Sequence, residues 1–141
     1  MNAKILTFII AIACSAPAWA DLVLIVNAQN PVDTLERKQV VDIFMGRSTA
    51  FPNQKPAQAL DIGNSELRTN FYKTLTGKSV AQVDAYWATL VFAGRMSPPE
   101  KLANETAIIN AVSNNPAAIG YVNRQTLPAT VKVVMELPTT Q

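Results

Sequence analysis

An unbroken run, Leu22-Val23-Leu24-Ile25-Val26, is apolar and rich in branched side chains, and the turn-prone stretch Asn27 to Pro31 ends it. A strand with one wet face would alternate, so this run predicts a strand covered on both sides. Apolar residues then recur at helical spacing as Leu35, Val40, Val41, Phe44 and Met45, with Thr34 as the expected cap and Gly46 as the stop. A polar loop with two prolines, Arg47 to Pro56, leads to a second predicted strand over Ala57 to Ile62, which Gly63-Asn64 breaks. Ser65 precedes a helical pattern through Leu67, Phe71 and Leu75 that closes at Gly77. A further helix is predicted from Ser79 to Phe92, and another from Asn104 or Thr106 to Asn114. Ile119 to Val122 and Val131 to Leu137 complete the strands. Strands interleaved with helices predict an α/β domain of two or three layers. Phe44, Met45, Phe71, Trp87 and Phe92 all fall at helical positions expected to face its core.

The first residues read differently. Lys4, an apolar run from Ile5 to Ala13, and small residues at Ala18 and Ala20 form the pattern of a cleaved export signal over residues 1–20. The run is too short to span a bilayer as a helix. Cys14 would allow a lipid anchor instead, but Ala11 stands where that signal wants a large aliphatic residue. Export to the periplasm is therefore expected, with residues 21–141 as one domain of about 120 residues. Twelve basic against ten acidic residues, scattered along the chain, leave no footprint for nucleic acid.

The composition excludes much chemistry. The chain has no histidine, and its one cysteine, Cys14, falls within the signal. Triads built on histidine, Cys-His pairs and His/Cys zinc sites are thus ruled out. No cofactor or metal site is expected, and Lys73 falls on a different helical face from Ser65, so no Ser-Lys pair forms. The turn Asp61-Ile62-Gly63-Asn64-Ser65-Glu66-Leu67-Arg68 carries the best candidate chemistry. It leaves a strand end and opens a helix, so it offers free N–H groups, the Asn64 and Ser65 side chains, and Arg68 one turn in. Those residues suit a small anion such as phosphate, and equally suit a plain helix cap.

Four stretches carry a resemblance. Asn27 to Pro31 with Leu35 to Gly46 resembles an asparagine-proline turn followed by a leucine…isoleucine-phenylalanine-x-glycine helix. Ser65 to Phe71 falls where a serine-glycine-threonine phosphate loop would stand. Tyr86-Trp87 with Phe92-Ala93-Gly94-Arg95, and Asn115-Pro116-Ala117-Ala118-Ile119-Gly120-Tyr121-Val122, are the more specific matches. Together they resemble the phosphate-binding-protein-like members of the type II periplasmic solute-binding family.

The resemblance implies one lobe of the type II fold, a small, mostly parallel or mixed sheet flanked by helices. It implies a non-enzymatic binding protein for an ABC-type uptake system or a sensor, with Ser65, Arg68 and Asn64 as ligand residues. Two copies of the chain, as a homodimer, or a separate partner would complete the cleft. The other lobe's anion loop would follow the first strand, where Asn27 to Pro31 stands instead. Asp61 takes the place of a phosphate-clamping arginine, and Glu66 and Leu67 replace the glycine and threonine. Those departures imply the alternative, an interaction protein that docks on an envelope transporter or sensor and binds no ligand. Tyr121 and Asn123 are placed on the same rim.

Overall fold

A computed structural model describes residues 22–138. The proposed signal, with Cys14 and the expected start at Asp21, lies outside the described residues. Among the latter, five strands form one sheet in the order β3-β2-β4-β1-β5. The strands are β1 (Leu22–Asn27), β2 (Gln58–Ile62), β3 (Glu100–Leu102), β4 (Ala118–Asn123) and β5 (Val131–Leu137). The helices are α1 (Arg37–Phe44), α2 (Glu66–Thr76), α3 (Val80–Phe92) and α4 (Glu105–Asn114). Among the described residues no helix is long and apolar enough to cross a membrane.

Helices on both faces explain the sequence of β1, which is buried along its whole length. Leu22, Leu24 and Val26 join the core under α1, α2 and α3, with Phe44, Phe71 and Trp87. Val23 and Ile25 point the other way, into the core under α4 with Ile108 and Val112. Each such side chain contributes roughly 1.5–3 kcal/mol on burial, so neither face can go polar. Three layers result. Gly120 in β4 lets α4 come close: a Cβ there would lie 2.6 Å from Ile108 Cγ2.

The sheet is mixed. β2 runs parallel to β3 and β4, whereas β1 is antiparallel to β4 and to β5. The end of β1 and the loop Asn27 to Pro31 therefore lie at the opposite end of the sheet from Ser65. There Asn27 donates to the Val112 and Ser113 carbonyls, tying down the last turn of α4. Leu22 pairs with both Asn123 and Leu137, so the two ends of the described chain leave side by side.

Three local expectations are corrected. Thr34 does not cap α1; the Leu35 N–H donates to the Val134 carbonyl, which holds this stretch in extended form along β5. The helix opens at Glu36, whose N–H donates to the Gln39 side chain. β3 was not legible, being three residues long and charged. Phe92 is not core but 96% exposed, because the buried side of α3 is set by Val83 and Trp87 and Phe92 falls well off that line.

Candidate functional site

The connections from β2 pass over one face of the sheet, and the connection into β4 passes over the other. The crevice outside the carboxyl ends of β2 and β4 is where open α/β sheets place ligands. Asp61, the penultimate residue of β2, stands there with 1% exposure. Its Oδ1 accepts from the Ile62 N–H at 2.8 Å and from the Tyr121 hydroxyl. Its Oδ2 accepts from the Tyr72 hydroxyl at 2.9 Å and from Arg68 Nε at 3.1 Å. Four donors satisfy this buried carboxylate, as its lone pairs require.

Ser65, Asn64 and Arg68 are bonded to one another at the start of α2. Ser65 caps α2, its Oγ accepting from the Arg68 N–H at 3.2 Å. The Arg68 side chain runs inward and is as buried as Asp61. Besides Asp61, its guanidinium holds Asn64 Oδ1 at 3.2 Å through Nη1 and Asp84 Oδ1 at 2.8 Å through Nη2. It also lies 5.3 Å over the Tyr72 ring. Every nitrogen of the guanidinium thus already meets an oxygen of its own chain.

Electrostatics follow this pairing. Burial alone would lower the Arg68 pKa, but its hydrogen bond to Asp84 and the charge of Asp61 outweigh it and raise it. The Asp84 carboxyl is lowered, first by its hydrogen bond from Arg68. Tyr72 and Tyr121 are pushed up, first by burial and then by the Asp61 charge. Phe71 stacks on Tyr121 with ring centroids 3.7 Å apart, which fixes that hydroxyl on Asp61.

Beside this network a cavity of about 290 Å³ is lined by Arg68, Asp84, Trp87, Val91, Pro98 and Lys101. Lys101 Nζ sits 3.9 Å from Asp84 Oδ1. The charges of Arg68 and Lys101 are balanced there by Asp61 and Asp84. Tyr121 is not on a rim: it is fully buried and reaches the network from below, through its hydroxyl on Asp61. Asn123 does not line the cavity either: its N–H and side chain are bound to Glu105. Sequence reading missed Asp84, Tyr72 and Lys101. The one available signal was Asp84 itself, a lone acid in a helix otherwise made of apolar and small polar residues.

No family model and no curated protein matches the chain. Solved structures do share its fold. A substrate-binding protein assigned to a phosphate ABC transporter of Clostridium perfringens, with bound phosphate, is similar at a TM-score of 0.64 and 22% identity. That match covers 83% of this chain and 45% of the other. An ABC-type phosphate transport receptor from Vibrio cholerae is similar at a TM-score of 0.64 and 20% identity, covering 83% of this chain and 46% of the other. PstS from Borrelia burgdorferi is similar at 0.56 and 12% identity, covering 75% and 41%. The chain therefore has the fold of a lobe of phosphate-binding proteins and spans less than half their length.

Proposed function

We propose that the protein is an exported, non-enzymatic domain of the solute-binding fold that works by docking on an envelope transporter or sensor. The observation that carries this reading is the occupation of Arg68 by Asp61, Asn64 and Asp84. Two carboxylates stand where an incoming anion would need the guanidinium to itself, and they repel it. Export rests on the residue pattern of 1–20, and the binding role is supported by the proteins that share the fold.

The second reading is an anion site at Asn64, Ser65 and Arg68. It is favoured by the phosphate bound in the Clostridium perfringens protein and by the position of these residues outside the strand ends. In that reading Asp84, half-exposed on α3, must swing off Arg68 before phosphate enters. A phosphate titration followed by backbone amide shifts separates the two. Docking without ligand predicts no saturable shifts at residues 63–68 up to millimolar phosphate, together with capture of a specific envelope protein. Saturable shifts that are lost in Ser65→Ala would establish the anion site instead.

A further inference from the structure

The cavity beside Asp84 is built differently from the turn at Ser65. Four charged side chains line it, Asp61, Arg68, Asp84 and Lys101, two of each sign. Asp61 and Arg68 are buried and bonded to each other. The other two, Asp84 on α3 and Lys101 on β3, are half-exposed and stand 3.9 Å apart, too far for a hydrogen bond. Asp84 meets both Arg68 and Lys101 through Oδ1. Among the described residues, Asp84 Oδ2 and Lys101 Nζ have no hydrogen-bond partner. The rest of the lining is apolar, with Trp87, Ala88 and Val91 from α3 and Pro98 and Pro99 from the connection into β3. Apolar walls with a few convergent polar groups are the form that small-molecule sites take.

We propose that this cavity binds a small zwitterion, an α-amino acid with an apolar side chain. Its ammonium donates to Asp84 Oδ2, its carboxylate accepts from Lys101 Nζ, and its side chain lies on the apolar wall. An α-amino acid carries its two charges on neighbouring carbons. A carboxylate and an ammonium 3.9 Å apart present the reversed pair at a similar spacing, so both charges of the ligand find a partner on leaving water. The balance of charge selects the ligand. Phosphate brings no cation, and Asp84 repels it; an amine without a carboxylate is repelled by Lys101. A ligand that is neutral overall and charged at both ends matches a lining of the same kind. The volume of about 290 Å³ is at the small end for ligand pockets, which suits one amino acid rather than a peptide. The site uses Asp84 and Lys101 in place of the Asn64-Ser65-Arg68 turn, so it depends on neither reading given above.

The test is a titration of the isotope-labelled protein with L-leucine, L-valine and L-alanine, followed by the amide signals of residues 84–101 and the Trp87 indole N–H. That N–H is buried without an acceptor among the described residues, and its ring lines the cavity, so its signal reports on an occupant. Saturable shifts with L-leucine are expected. 4-Methylpentanoate and 3-methylbutylamine, which each lack one of leucine's charges, should bind at least roughly tenfold more weakly. Lys101→Gln and Asp84→Asn should each weaken leucine by a similar factor while the spectrum stays that of a folded protein, since both side chains are half-exposed. No saturable shift with any of the three amino acids up to about 10 mM overturns the inference. So does 4-methylpentanoate binding as tightly as leucine, which would make the cavity a plain anion site, or a leucine affinity indifferent to both variants. Any of these results leaves the docking role standing, because capture of an envelope protein tests that role separately.

Discussion

Removing the Arg68 guanidinium would strand the Asp61 charge in the core with two hydroxyls and one N–H. Breaking a buried pair from one side is expensive, about 3–5 kcal/mol, so Arg68→Met should lower stability by that order in a urea unfolding curve. Asp84→Asn should lower it by about 1 kcal/mol or less, because Asp84 is 46% exposed and water shares its field. If the two variants proved equal, Asp61 would not need Arg68 as its counter-ion. The sequence showed part of this. Ser65 was legible as a cap because capping depends on neighbours three residues away. The partners of Asp61 come from α2 and β4 and lie as far as 60 residues along the chain, and no local pattern records such a meeting. For the same reason Asp61 read as an intruder beside an anion site, whereas it is the counter-ion of the arginine there.

Between elements, the tightest approach is α4 on β4. A methyl at Gly120 would meet Ile108 Cγ2 at 2.6 Å, and overpacking of this kind destabilises by about 1–3 kcal/mol. Gly120→Ala should do so in thermal unfolding, and the double variant with Ile108→Ala should lose less than the sum of the two single losses. Simple additivity would mean the helix shifts freely. Most elements were readable from periodicity and caps, as α2 between Ser65 and Gly77 shows. Strand direction was not. The apolar run of β1 announces burial on both faces but carries no mark of its antiparallel pairing. That direction is what sends the Asn27 loop away from Ser65.

For the molecule as a whole, the buried tyrosines set its behaviour in base. Tyr72 and Tyr121 titrate above the ordinary 10.0 when folded, so the folded state keeps two protons that the unfolded chain releases near that value. The stability they hold is complete below pH about 10 and declines as pH rises beyond it. Denaturant midpoints should fall above that pH, and tyrosinate absorbance from these two should appear only in step with unfolding. Its appearance in the folded protein would contradict the burial of both hydroxyls. Fold class and layering at this scale followed from the strand-helix alternation, while the corner occupied by Phe92 did not, since exposure is a property of the assembled surface. The pairing of Leu22 with Leu137 has a mechanical consequence. Tension applied through the two ends would load β5, an edge strand, from its tip, and would peel it from β1 one rung at a time. Resistance in that direction is that of a zipper, weak however stable the domain is to heat or urea.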